Sequence, residues 1–226
     1  MQVIEGAVIA CAGLGSRLGM GMPKCMIEVG GKTLLSRLIE TLQPLVPRIH
    51  VVVGYREELI IEHCARHHRE VIIARNPEFR TTNTAHSIRL GSTGMCSKVL
   101  YLDGDLIIEP SSLQSFVELA AKVPLLVGVT QAKSSQAVFV ATHDEGGAPS
   151  KFVDNFQRTP ATPWEWANVF AGSPNLLAEG MHYVYECIEP HLPVAAHVLN
   201  LHEIDTQEDL VQAKAWIFSS QCSTVS

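Results

Sequence analysis

Short apolar runs alternate with segments of helical spacing through the first half of the chain. Val8-Ile9-Ala10-Cys11 reads as a short buried strand, and residues 33–42 repeat apolar side chains at the intervals of an amphipathic helix. The pattern then recurs. A strand is expected at 49–54, a helix at 57–68, a strand at 71–74, a helix at 85–91 and a strand at 99–102. Strands that are apolar throughout are buried on both faces, and their alternation with helices predicts a mostly parallel sheet flanked by helices. Beyond Asp105 the order loosens into a helix at 111–121, strands at 125–129 and 136–141, and a turn at 144–147. This predicts an antiparallel or irregular insertion in the second half. One more strand at 197–201 and a closing helix at 206–218, with Thr206 as its N-cap and Asp209 three residues on, complete the pattern.

Composition narrows this α/β reading. The 226 residues are 46% hydrophobic and 18% charged, an ordinary globular balance long enough for one large domain. One domain is expected over 1–218, followed by a flexible tail at 219–226. No apolar run reaches the length of a membrane span, and the N-terminal residues do not have the pattern of an export signal. Six cysteines form no C-x-x-C pair, which argues against a zinc site and a disulfide framework and fits a reducing cytoplasm. A net charge of −6 speaks against nucleic acid as a partner, and none is expected. A homodimer is compatible with the sequence. His63 and His67 stand four apart on a helix, but no third ligand accompanies them, so they read as part of a polar face.

Residues 11–26, CAGLGSRLGMGMPKCM, follow the first strand, where an open parallel sheet binds its ligand. Gly13 and Gly15 begin a dinucleotide fingerprint, but Leu18 stands where its third glycine belongs, and no lysine occupies the Walker position. What the loop does carry is Arg17 and Lys24. Glycines admit backbone N–H groups to phosphate oxygens, while a guanidinium and an ammonium neutralise them and stabilise charge on a leaving group. Such a loop suits chemistry on a nucleoside triphosphate.

Three segments together, Gly13 to Leu18 with Pro23-Lys24 and residues 28–35, Tyr101-Leu102-Asp103-Gly104-Asp105, and residues 203–210, resemble the nucleotidyltransferases that join an NTP to a phosphorylated acceptor. The resemblance spans about residues 7–215 and implies a Rossmann-like fold, Mg2+ as cofactor and release of pyrophosphate. It implies Lys24 and Arg17 as catalytic residues, and Asp105 and Asp205 as metal ligands. Ala10, Ala12, Gly13, Leu14, Gly15, Ser16 and Asp103 would line the nucleotide site. Both aspartates follow apolar strands, so they would share one cation if those strand ends are adjacent, and hard carboxylate oxygens suit Mg2+.

Residues 80–89 resemble the T-N-N-x-x-S region of choline-phosphate and 2-aminoethylphosphonate cytidylyltransferases, although Thr84-Ala85 stands where a second asparagine is expected. This implies base contacts from Asn83, Thr84 and Ser87; a local role capping the helix is the alternative. The short spacing from Arg17 to Pro23 also resembles cytidylyltransferases, so CTP is the expected nucleotide. For the acceptor, Trp164, Glu165 and Trp166 place two aromatic faces beside a carboxylate in a proline-rich stretch, which suits an ammonium group; Asp154 is a further candidate. A small phosphate or phosphonate acceptor carrying an amine follows, namely phosphocholine, phosphoethanolamine or 2-aminoethylphosphonate. A sugar-1-phosphate nucleotidyltransferase and a non-catalytic nucleotide-binding regulator are the alternatives.

Overall fold

The computed structural model describes residues 3–15, 21–133 and 137–222. Its strands are β1 (Ile4–Cys11), β2 (Glu28–Val29), β3 (Lys32–Thr33), β4 (Ile49–Val53), β5 (Ile72–Arg75), β6 (Lys98–Asp103) and β7 (Leu106–Ile108). The second half adds β8 (Leu126–Gln131), β9 (Phe139–Asp144), β10 (Lys151–Gln157), β11 (Trp164–Gly172), β12 (Val194–Val198) and β13 (Leu201–Glu203). Five α-helices accompany them: α1 (Leu34–Leu42), α2 (Glu57–His67), α3 (Thr84–Gly91), α4 (Pro110–Ala120) and α5 (Gln207–Cys222).

Nine strands form one sheet in the order β5-β4-β1-β6-β11-β8-β12-β10-β9. The first four are parallel, with Ile9 of β1 opposite Val51 on one side and Leu102 on the other. β11 then runs antiparallel to both β6 and β8. β12 is parallel to β8, whereas β10 is antiparallel to both β12 and β9. The result is the expected α/β architecture, with a parallel first half and a mixed second half.

Alternation along β1 feeds two cores. Ile9 packs with Leu35, Leu38 and Ile39 of α1, Ile60 of α2 and Phe116 of α4 on one face; Val8 packs with Ile88 of α3 and with Tyr101 and Phe170 on the other. A third cluster seats Leu210, Ala213 and Ile217 of α5 on Leu34 and Ile107. Helix starts follow local chemistry. The Thr33 side chain accepts from the backbone N–H of Ser36 at the head of α1, and Asn83 does the same for His86 at the head of α3. Thr206 and Asp209 close a reciprocal cap on α5: Asp209 Oδ2 accepts from the Thr206 N–H at 2.7 Å, and Asp209 N–H donates to Thr206 Oγ1.

Four sequence expectations need correction. Residues 164–168 belong to strand β11 rather than to a loop, held by pairing with β6, β8 and β9. The expected strand at 197–201 is split at Leu199-Asn200 into β12, in the main sheet, and β13, which pairs with β7 in a separate two-stranded sheet. The strand expected at 136–141 is observed from Phe139 to Asp144, and residues 134–136 lie outside the described set. Helix α5 continues past 218 to Cys222, and residues 223–226 also lie outside it.

His50, on β4, shows how burial sets a charge state. Its Nδ1 lies 2.6 Å from the Gly91 carbonyl, which fixes that nitrogen as the donor, while Nε2 is buried without a hydrogen-bond partner. Burial lowers its pKa from 6.5; Arg48 adds to the lowering, and the Gly91 bond and Glu5 oppose it. A histidine kept neutral in the fold costs stability once the unfolded chain begins to protonate, so its contribution is whole above pH 6.5 and declines as the pH falls below it. The stability advantage of the unsubstituted chain over His50→Gln should therefore shrink from about pH 7.5 to about pH 5.5 in paired urea denaturations. An unchanged difference would contradict a neutral His50.

Candidate active site

The glycine loop leaves β1 at the carboxyl end of the parallel strands, and Lys24 returns to the same place on the single 3-10 turn Lys24–Met26. That turn is closed by Met26 N–H to the Pro23 carbonyl and Ile27 N–H to the Lys24 carbonyl, at 3.0 and 2.9 Å. Gly15 has φ +59, and a Cβ there would stand 3.1 Å from Lys24 Cγ. The loop thus uses glycine where the backbone is left-handed and pressed against the lysine stem. Ser16 and Arg17 lie outside the described residues.

The acidic groups arrive by a different route from the one expected. β6 and β12 are not neighbours in the main sheet, being separated by β11 and β8. The small β7–β13 sheet brings the two segments together: Leu106 pairs with Glu203, and the Ile204 N–H donates to the Asp105 carbonyl at 3.0 Å. Asp209 Oδ2 also accepts from the Asp205 N–H at 3.1 Å, which fixes the turn into α5. Asp105, Glu203 and Asp205 consequently offer carboxylate oxygens within 4.8 Å of one another.

Lys24 points its ammonium into this cluster, donating to Asp105 Oδ2 at 2.9 Å and also to Asp205 Oδ1. Burial disfavours the ammonium, but the Asp105 charge and the bonds to both aspartates outweigh it and raise the Lys24 pKa. The other two acids are pushed the opposite way from an ordinary carboxylate. Burial, followed by the Asp105 charge, lifts Asp103 to about 8. Burial, followed by the charges of Asp105, Asp205 and Asp103, lifts Glu203 to about 9. Lys24 partly offsets both rises. Asp105 Oδ1 is buried without a hydrogen-bond partner. An orphaned carboxylate oxygen amid clustered hard donors fits a divalent cation such as Mg2+.

Two clefts share a wall here. The first, about 430 Å³, is lined by Ala10, Ala12, Gly13, Leu14, Gly15 and Lys24, by Asn83, Thr84 and Ser87, and by Asp103, Asp105, Glu203 and Asp205. It therefore gathers every described residue that the sequence assigned to nucleotide, catalysis or metal. The second, about 310 Å³, shares Asn83, Thr84 and Asp103 with the first and is walled by Tyr101, Trp166, Phe170, Tyr183 and Tyr185, with Arg158, Asn168 and His182 as polar lining. Asn83 performs local work at this wall: Oδ1 accepts from His86 N–H, and Nδ2 donates to the Met181 carbonyl at 2.6 Å. Buried Asn76 organises the same loop, donating to Thr82 Oγ1 and Ser87 Oγ, both at 2.9 Å.

The amine cage expected from Trp164, Glu165 and Trp166 does not form. On a strand, neighbouring side chains point to opposite faces, so Glu165 cannot stand between the two rings. Trp166 is buried against Phe156 and Phe170 and reaches the second cleft. Trp164 instead carries the Lys151 ammonium 4.9 Å from its ring centroid. Glu165 accepts from the Lys133 N–H at 3.1 Å, and Asp154 pairs with His143 at 2.8 Å. Trp164, Glu165 and Asp154 line neither cleft. His63 is likewise absorbed locally, with Nε2 at 2.8 Å from Ser36 Oγ.

Glu203 was missed in the sequence. It lies two residues before Asp205, a spacing that puts alternate residues of an extended segment on one side. Asn168 was missed as well. Its positive φ leaves no mark on the pattern of apolar positions.

A family model described as a MobA-like NTP transferase domain matches residues 7–208. The chain belongs to that family. It is a nucleotidyltransferase, in a family that binds a nucleoside triphosphate and a phosphorylated acceptor. The bifunctional protein GlmU of Methanococcus maripaludis is 33% identical over 108 residues, 46% of this chain and 26% of that protein. The CMP-5'-(3-aminopropyl)phosphonate synthase of Streptomyces rubellomurinus is 30% identical over 161 residues, 69% of this chain and 25% of that protein. This nucleotidyltransferase thus spans about a quarter of the length of those curated relatives. Among solved structures, the CTP:phosphocholine cytidylyltransferase LicC from Streptococcus pneumoniae superposes with a TM-score of 0.73 at 16% identity, over 96% of this chain and 100% of that one. A UDP-glucose pyrophosphorylase from Acinetobacter baumanii superposes with a TM-score of 0.75 at 12% identity, over 94% and 92%. At these identities the two structures speak for the fold. No helix among the described residues is long and apolar enough to cross a membrane.

Close packing at the site is testable with glycines. A Cβ on Gly104 would stand 2.5 Å from Cys11 Sγ and 2.9 Å from the Ala10 carbonyl, whereas one on Gly13 would meet nothing within 4 Å. Gly104→Ala should cost ~1–3 kcal/mol in urea denaturation, the usual penalty of overpacking, while Gly13→Ala should stay within about 0.5 kcal/mol. Equal effects would contradict the close approach of β1 to the turn after β6.

Proposed function

We propose that this nucleotidyltransferase is a Mg2+-dependent cytidylyltransferase, moving CMP from CTP to a small phosphate or phosphonate acceptor that carries an amine and releasing pyrophosphate. The observation that carries this reading is the insertion of Lys24 between Asp105 and Asp205, at the mouth of the glycine turn Gly13–Gly15. Asp105, Glu203 and Asp205 would hold Mg2+, which supplies charge neutralisation on the phosphates when bound. The acceptor oxygen is already anionic and attacks the α-phosphorus in line, so no general base is needed and catalysis rests on positioning and electrostatics. Lys24 would bridge donor and acceptor phosphates as charge builds, and Arg17 would follow the β- and γ-phosphates to the leaving group. The choice of CTP is supported by the Asn83, Thr84 and Ser87 edge of the first cleft and by the cytidylyl chemistry in the names of two of the proteins compared above.

The second cleft is the acceptor compartment in this reading. Trp166 and Tyr185 offer aromatic faces to an ammonium, and Asn83, Thr84 and Asp103 form the boundary across which the two ligands meet. A sugar-1-phosphate acceptor is the second reading. It is favoured by the amides of Asn83 and Asn168 and by a lining whose one carboxylate is Asp103, on the shared wall. A matrix of CTP, UTP, ATP and GTP against phosphocholine, phosphoethanolamine, 2-aminoethylphosphonate and sugar 1-phosphates, read as pyrophosphate release with Mg2+, decides between them. Turnover with a sugar phosphate and none with an amine would replace the first reading by the second.

Two substitutions sharpen the test. Lys24→Ala should lower kcat by ~10³-fold or more, as expected for loss of a cation that acts on the transferred phosphoryl group, with the circular-dichroism spectrum unchanged. Near-normal turnover would remove Lys24 from the mechanism. Trp166→Phe, which keeps an aromatic ring in the core, should raise KM for the acceptor by about tenfold and change KM for the nucleotide by less than about twofold. Equal changes in both would place Trp166 outside the acceptor compartment.

A further inference from the structure

Asn168 holds a backbone conformation that its strand does not require. Its φ is +54, inside β11, where most side chains resist the left-handed region and asparagine resists it least. The distortion is local. Trp166 pairs with Val129 and Phe170 with Val127, so β11 advances four positions while β8 advances two. The opposite neighbour keeps its register, with Val169 against Leu102, which sets Asn168 level with Asp103 at the end of β6. From there Asn168 Nδ2 donates to Glu203 Oε2 at 3.2 Å, and the residue also lines the second cleft.

Glu203 has a reason to need that bond. Its carboxylate shares a space of 4.8 Å with those of Asp105 and Asp205, and like charges at that separation drive one another apart. Lys24 bonds both aspartates, and among the printed bonds Asn168 supplies the donor to Glu203. A neutral N–H donor orients a carboxylate without competing for the positive charge that the carboxylate is meant to bind. We infer that Asn168 is a positioning residue, whose left-handed turn in β11 aims its amide at Glu203 and keeps that carboxylate in the cation-binding cluster of the free protein. The bulge that creates the turn ties the cluster to the acceptor side, because the same residue faces the second cleft.

This inference rests on the three carboxylates as a cation site, as in the function proposed above, but not on CTP or any acceptor. The probe is Mn2+ alone, titrated onto the nucleotide-free protein and followed by electron paramagnetic resonance, with thermal unfolding measured on the same samples. Asn168→Gly keeps the backbone free to adopt its φ and removes the amide; Asn168→Ala removes the amide and resists that φ. Asn168→Gly should retain the thermal midpoint and raise the Kd for Mn2+ by about 10–100-fold, the range for lost outer-sphere support. Asn168→Ala should show a similar loss of affinity with a lower midpoint. Affinity within about twofold of the unsubstituted chain in Asn168→Gly would overturn the inference, as would affinity that merely follows the midpoint or an unsubstituted chain that binds no Mn2+. A chain that binds Mn2+ through Asn168 yet transfers no nucleotide would sink the proposed function and leave this inference standing.

Discussion

Buried acids gathered at one point repel one another, and the arrangement of this chain follows from how that repulsion is met. Asp105, Glu203 and Asp205 come from segments about a hundred residues apart, and they are held together by a two-stranded sheet only three residues long on each side. Lys24 answers their charge from a third part of the chain. The nucleotide loop, the turn after β6 and the entry to α5 are thereby fastened electrostatically as well as by backbone bonds. Without the ammonium, or a cation in its stead, the acids would take up protons, as the raised pKa values of Asp103 and Glu203 already indicate.

The parallel half of the fold was legible because its signals are strong and local. β1, β4 and β6 are apolar on both faces, and α1 repeats leucines and isoleucine at helical spacing, so each segment declares its type independently of its neighbours. The second half hides its strands. β7 and β13 are three residues each, too short for any period to register, and β11 begins among prolines and carries a bulge at Asn168 that breaks its alternation. Tertiary pairing decided these segments.

The candidate site divides in the same way. Lys24, Asp105 and Asp205 stand out by type and by their place beside apolar runs, and the folded chain does bring them together, though through β7 and β13 rather than through adjacent strands of the main sheet. Trp164, Glu165 and Trp166 were grouped by proximity along the chain. On a strand, proximity along the chain separates side chains rather than joining them, and only Trp166 faces a cleft. The aromatic wall of that cleft draws on Tyr101, Phe170, Tyr183 and Tyr185, residues scattered through the sequence and assembled by sheet order alone.

The shared wall of the two clefts, formed by Asn83, Thr84 and Asp103, has a consequence for traffic through the enzyme. Once the two substrates are joined, the new molecule straddles both compartments and keeps the attractions of each, so it departs more reluctantly than either starting material arrived. Bond formation and escape are thus set against each other by the floor plan of the protein.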